Sequence, residues 1–315
     1  MLSMPPPISR VVITGGTHGN ESNGVELARH LLRNPSLAAR PTFHTQVLLT
    51  NTAAIEQNVR YVEEDLNRCF STEALMGVQE TLEARRAREI NAMIGSKSSR
   101  SARQTGKPAD LIIDLHNTTA ATGVALLMAP TDELCHAIAA KLQSEDQSVR
   151  ICNWSNKPRD DLVLLPSIAP HGMTFEVGPA PWGCLEGALY EKSLTLLMKA
   201  LDYVELHNAS HMSGVSRTLA TSIEIFIPVG SRDYPRDAEG MLSAMIHPNL
   251  QGRDFEPLVK GDPIFLTHDL KTVCFEGERN GALVHPFFIN EAAYYEKRVA
   301  FSLALKESRI VKLIV

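Results

Sequence analysis

The chain has 315 residues, enough for one or two domains with a sizeable core. Hydrophobic residues at 44% and charged residues at 21% exclude a mainly disordered chain, and 19 glycines and 18 prolines without a period exclude a collagen-like or low-complexity one. A net charge of −5 with no block of like charge argues against a nucleic-acid binder built on a broad basic surface, so an anionic ligand must be met by a few placed arginines.

In chain order, short apolar runs alternate with helical patterns. Arg10 to Thr14 reads as a buried strand, and Glu21 to Arg33 as a helix with Val25, Ala28, Leu31 and Leu32 on one face. Phe43 to Thr50 is β-rich, Leu82 to Ile94 is a charged amphipathic helix, and Asp110 to Leu115 is a second buried strand. Gly123 to Ala129 is strand, Asp132 to Leu142 helix, Met173 to Val177 strand, and Glu186 to His207 the longest helix. This alternation implies crossover connections and an α/β fold with a mixed, mainly parallel sheet flanked by helices. Near Asn208 the composition turns polar and small (HNASHMSGVS), which suits a linker. Five short strand-like runs follow, Ser222 to Val229, Leu242 to His247, Ile264 to Thr267, Thr272 to Glu276 and Leu283 to Ile289, broken by turns such as PRDAEG and KGDP. Two domains are expected, residues 1–208 (α/β) and residues 209–315 (smaller, all-β).

The N-terminus, MLSMPPPISR, lacks a basic segment followed by an apolar run, and no apolar run approaches the length of a membrane span. The expected compartment is the cytoplasm. The five cysteines, Cys69, Cys135, Cys152, Cys184 and Cys274, form no C-x-x-C pair, so reduced thiols are expected rather than disulfides or a thiolate zinc site.

The chemistry concentrates at strand ends. The first strand runs into Gly15-Gly16-Thr17-His18-Gly19-Asn20-Glu21. Glycines directly after a buried strand permit a tight turn at the carboxyl edge, where ligand sites of open α/β sheets collect. The lysine of a phosphate-binding loop is absent. His18 and Glu21 are three apart and face the same way in a turn. One imidazole and one carboxylate are two of the three protein ligands of a catalytic zinc, and His116, at the end of another buried strand, offers the third, leaving a position open for water. Arg60 and the run Asp65-Leu66-Asn67-Arg68 add cations: Arg68 can hold a carboxylate in a fork with help from Asn67, Arg60 can stabilise an oxyanion, and Asp65 can fix a ligand histidine's tautomer. Glu176 stands inside an apolar strand, where a carboxylate is costly unless used or paired, and beside an activated water it serves as general base and then acid. Each of these residues also has an ordinary reading taken singly: a hydrogen-bonded strand-end histidine, a solvated arginine, an edge-strand glutamate.

Taken together, GGTHGNE, RYVEEDLNRCF, DLHNTT, FEVGPAPWG, IHPNLQGRDFEPL and NEAAYYEK run in order from about Val11 to Phe301 and resemble the aspartoacylase/aminoacylase-3 family, which is similar in its larger domain to zinc carboxypeptidases. The resemblance implies one Zn2+ per chain on His18, Glu21 and His116, with Glu176 as acid/base and Arg60 on the carbonyl oxygen. It further implies Asn67 and Arg68 on the substrate α-carboxylate, Asp65 behind a ligand histidine, and Tyr294 reaching the substrate pocket from a β-rich C-terminal domain over the entrance. For Tyr294 the rival reading is packing between the domains. A small N-acyl amino acid as substrate, and a homo-oligomer (dimer or tetramer), are also implied.

One departure bears on the substrate. Aspartoacylases carry an arginine ten residues before the FEVGP-type glutamate and a tyrosine four residues earlier, which meet the substrate's side-chain carboxylate. Here, by straight counting, Pro166 and Leu162 stand at those positions. A buried carboxylate without a cation is expensive. An N-acetylated amino acid with an apolar or aromatic side chain is therefore the expected substrate. An N-acetylaspartate-specific enzyme is the alternative, with Arg159 supplying the cation. A carboxypeptidase-type peptidase needs an open groove, and a non-catalytic binding protein expects lost ligands; all three ligand candidates and Glu176 are present.

Overall fold

Val11, Val12 and Ile13 are all fully buried, as the unbroken apolar run requires of an inner strand covered on both faces. The computed structural model describes residues 5–100, 104–214, 217–278 and 281–314. Its elements are β1 (Arg10–Gly15), α1 (Ser22–Arg33), β2 (His44–Leu49), α2 (Thr52–Gln57), α3 (Thr72–Met76), α4 (Leu82–Ile94), β3 (Leu111–Asn117), β4 (Gly123–Met128), α5 (Glu133–Glu145), β5 (Val149–Asn153), β6 (His171–Gly178) and α6 (Gly187–Ser213). β7 (Thr218–Arg232), β8 (Ala244–Ile246), β9 (Pro263–Thr267), β10 (Thr272–Cys274), β11 (His285–Phe287) and β12 (Phe301–Ile314) follow.

A nine-stranded sheet runs in the order β11-β12-β7-β5-β4-β6-β3-β1-β2. β1, β2, β3 and β6 are mutually parallel neighbours, and β4 lies antiparallel to β6. Alternate residues of the inner strands feed two layers. Val11, Ile13, Leu111 and Ile113 pack under α1, α5 and α6, while Val12 and Ile112 face α4. The mixed, mainly parallel sheet with helices on both faces is the fold expected from the alternation of runs.

The carboxyl ends of β6, β3 and β1 come together at one edge, with β4 starting beside them. In the register of β3 with β6, His116 stands opposite Glu176. Gly16 has φ +74°, and a Cβ on Gly19 would collide with the backbone of Ala54, so the loop after β1 can follow this path only with glycine at both places.

The stretch read as a linker is a correction. α6 continues through Ser213, and Val215 and Ser216 lie outside the described residues. The polar residues there are structural: Asn208 accepts from the Ile8 amide at 2.8 Å and donates to the Ile8 carbonyl at 2.7 Å, standing in for a strand neighbour. After α6 the described chain is strand and loop apart from a short 3-10 turn, Ala292–Tyr294. Its two longest strands, β7 and β12, pair antiparallel and extend the central sheet through β5, while β8, β9 and β10 form a separate small sheet. An apolar cluster of Ala120, Ala125, Leu127 and Cys152 with Phe226, Phe255, Phe287 and Phe288 joins the two parts.

Candidate active site

His18, Glu21 and His116 are all buried, and their ligand atoms lie within 4.8 Å of one another. Nδ1 of His18 is 2.6 Å from Glu21 Oε1, Nδ1 of His116 is 2.8 Å from Oε2, and the two Nδ1 atoms are 3.1 Å apart. Their Nε2 atoms point outward, His18 to Asp65 at 2.9 Å and His116 to Asp114 at 2.7 Å. A carboxylate accepts, so each Nε2 is the donor and each Nδ1 is left with a lone pair. Two lone pairs and a carboxylate converging on one point form a donor set suited to a divalent cation, and imidazole plus carboxylate suits zinc.

The surroundings hold this arrangement in place. Asp114 lies two residues before His116 on the same face of β3, is fully buried, and also accepts from Thr14 at 2.6 Å and Thr17 at 2.9 Å. Burial works against charge on Glu21, yet the flanking His18 and His116 hold its pKa well below the carboxylate range. Burial likewise opposes the charged form of His116, but Asp114 and Glu21 outweigh it and raise its pKa well above the ordinary value. Glu176 behaves oppositely: burial, reinforced by Glu21 and Glu291, pushes it up to about 8 against the pull of His116 and Arg60.

The arginines and their loop come from residues 58–68. Nη1 of Arg60 lies 3.2 Å from Glu21, Nη2 lies 3.5 Å from Asp65, and Nε is buried without a partner among the described residues. The loop is anchored by Glu83 of α4, whose fully buried carboxylate accepts from the Val62, Glu63 and Glu64 amides at 2.7, 3.1 and 3.2 Å. Asn67 accepts from the Leu165 amide at 2.8 Å, and Arg68 donates to the Asn67 carbonyl at 2.8 Å. Tyr294 arrives from the C-terminal part. Burial and then Glu176 raise its pKa, while Arg68 and Arg60 pull the other way, so its hydroxyl belongs to the same cluster of groups. Beside it Lys297 lies 3.6 Å from Asp65 and over the Tyr294 ring. Glu291 fastens this segment to the end of β3, accepting from the Thr119 amide at 2.7 Å and from the Thr118 hydroxyl.

All nine site residues expected from the sequence therefore meet at one edge. Arg159 does not join them: its Nε donates to the Ser167 carbonyl at 2.9 Å and its Nη2 to Ser96 and the Ile168 carbonyl at 2.6 and 2.7 Å. Asp114, Glu83, Glu291 and Lys297 escaped the sequence reading. Asp114 could have been found from the two-residue period of the strand, and Glu291 and Lys297 stand in the NEAAYYEK segment. Glu83 acts through backbone amides and leaves no pattern of side chains to read.

The succinylglutamate desuccinylase/aspartoacylase catalytic domain matches residues 7–204, and the AstE/AspA barrel-sandwich hybrid domain matches residues 221–306. The chain belongs to this family. It is 39% identical over 312 residues to the human N-acyl-aromatic-L-amino acid amidohydrolase (carboxylate-forming), covering 96% of this chain and 92% of that one. It is 37% identical over 302 residues to a probable aspartoacylase of Nostoc, covering 95% and 97%. The crystal structure of murine aminoacylase 3 superposes with a TM-score of 0.87 at 36% identity, over 99% of this chain and 100% of that one. Family members with differently named substrates are thus equally similar, and substrate choice has to be read from the pocket.

Proposed function

We propose that this chain hydrolyses N-acyl amino acids to an amino acid and a carboxylate, using one zinc ion held by His18, Glu21 and His116. The convergence of those three ligands across one strand pair from Glu176 carries the reading. Bound there, zinc supplies Lewis acidity and brings the pKa of a water toward about 7. Glu176, whose pKa burial raises into the range where a carboxylate can both take and give a proton, takes a proton from the attacking water and returns it to the leaving amine nitrogen. Arg60, largely shielded and with its Nε buried, offers a charged donor to the developing oxyanion, and Asn67 and Arg68 orient the free α-carboxylate. Asp65 and Asp114 keep the histidine tautomers fixed. Tyr294 closes the pocket from the C-terminal side.

For the substrate side chain, a cavity of about 270 Å³ has an apolar wall of Leu127, Met128, Trp154, Leu162, Leu164 and Pro166, with Asp132, Lys157, Arg159 and His171 also on its lining. It reaches Thr174, two residues before Glu176 on the same face of β6, and Trp154 is linked to Tyr294 by ring contacts through Phe288. A dry cavity of about 150 Å³ accepts benzene, so this one has room for an aromatic side chain. Arg159, the candidate cation for an aspartate side chain, spends its Nε and Nη2 donors on main-chain carbonyls and Ser96. These observations favour apolar and aromatic N-acetyl amino acids over N-acetylaspartate.

The reading extends to a homo-oligomer, as the family resemblance implies, and to the cytoplasm, the compartment expected from the sequence; no helix among the described residues is long and apolar enough to cross a membrane. Hydrolysis of N-acetyltyrosine and N-acetylaspartate by the metal-loaded enzyme, run in parallel, tests the proposal. A higher kcat/KM for N-acetyltyrosine is expected. Preference for N-acetylaspartate would overturn the pocket reading, and hydrolysis of neither would overturn the activity.

A further inference from the structure

Lys97 follows α4 and is the one lysine that is buried among the described residues, with 6% of its surface exposed. A buried ammonium is costly unless its donors are matched. Here Nζ donates to the Phe70 carbonyl at 2.9 Å, the Leu162 carbonyl at 2.8 Å and the Ser167 hydroxyl at 2.8 Å, three neutral acceptors for three N–H groups. Those acceptors belong to two segments with different tasks. Phe70 ends the run that carries Asn67 and Arg68, whereas Leu162, Leu164 and Pro166 form an apolar wall of the side-chain cavity. Two further bonds cross the same seam, from the Phe70 amide to the Val163 carbonyl at 3.2 Å and from the Leu165 amide to Asn67. Ser167 in turn donates to the Leu162 and Leu164 carbonyls, and Arg159 holds the far end of the wall through the Ser167 and Ile168 carbonyls.

We infer that Lys97 is a positioning residue for substrate specificity: its ammonium fixes the distance between the α-carboxylate binders and the wall that meets the substrate side chain. The inference rests on the deacylase reading above. An amino acid whose side chain fills the cavity needs both ends placed together, whereas one without a side chain needs only the carboxylate end. Loss of the ammonium strands the buried Phe70 carbonyl, leaves the Leu162 carbonyl to Ser167 alone and frees the wall to shift. The effect belongs in KM, because the wall touches substrate and transition state alike.

The test compares KM and kcat for N-acetyltyrosine and N-acetylglycine in the wild type, Lys97→Met and Ser167→Ala. In Lys97→Met, KM for N-acetyltyrosine should rise about tenfold more than KM for N-acetylglycine, with kcat for the two moving in parallel. Ser167→Ala keeps the ammonium and removes one acceptor, so it should split the two KM values in the same direction by about threefold, and it serves if Lys97→Met fails to fold. Equal changes for both substrates, or no change, in a folded variant would overturn the positioning role while leaving the deacylase reading intact. Hydrolysis of neither substrate by the wild type would instead overturn that reading, and this inference with it.

Discussion

Glu176 and His116 face each other across β6 and β3, and the pairing joins two opposed electrostatic demands. Glu21 is held ionised by His18 and His116, and His116 is pulled toward its charged form by Asp114 and Glu21, whereas Glu176 is pushed up to about 8 by burial and neighbouring acids. Carboxylates this close thereby acquire separate tasks, one ionised within the ligand set and one able to carry a proton near neutrality. Glu176→Gln keeps the shape and removes the proton carrier. Its kcat should fall by about 10²–10⁴-fold while metal content, measured by atomic emission, stays at the wild-type level. A fall of less than about tenfold would remove Glu176 from the acid/base role.

At the scale of elements, the loops that build the site are held by buried acids as well as by packing. Glu83 grips the loop carrying Arg60 and Asp65, and Glu291 fastens the segment carrying Tyr294 to the end of β3. Asp254 is a third case: Oδ1 accepts from the Ile289 amide at 3.1 Å, and Oδ2 is buried without a hydrogen-bond partner among the described residues. Burial pushes its pKa up to about 7, against the amides of Ile289, Ala121 and Phe288. Its folded pKa exceeds the unfolded one, so between about pH 4 and 7 the folded chain binds more protons than the unfolded chain and stability falls as pH rises. Asp254→Asn mimics the protonated acid. Urea unfolding at about pH 5.5 and about pH 8 should show a smaller loss of stability at the higher pH in the variant than in the wild type. Equal losses would mean that Asp254 does not titrate in this range.

Whole-molecule architecture explains what could be read in advance. β1, β3, β4 and β6 were legible because inner parallel strands are unbroken apolar runs, and α4 because its pattern repeats with the helical period. The candidate metal ligands were legible because His18 and Glu21 lie in the loop between β1 and α1 and His116 near the end of β3. β12 was not: Phe301–Ile314 carries Lys306, Glu307, Ser308 and Arg309 in its middle, where the strand is largely exposed, and only its ladder with β7 makes it regular. α6 overran its expected end because the polar face that suggested a linker is the face that binds Ile8. The proposed side-chain pocket was legible only as a departure, Leu162 and Pro166, since its wall is bonded by Lys97 and Arg159 through main-chain carbonyls that no sequence pattern records.

In the proposed reading, one metal ion on His18, Glu21 and His116 enables hydrolysis. Titrating zinc into chelator-stripped protein while following N-acetyltyrosine hydrolysis, with His116→Ala alongside, puts this to the test. The rate should rise from near zero and saturate at about one zinc per chain, and His116→Ala should neither retain the ion nor regain the rate. Full activity in the stripped protein, or an undiminished rate in His116→Ala, would contradict it.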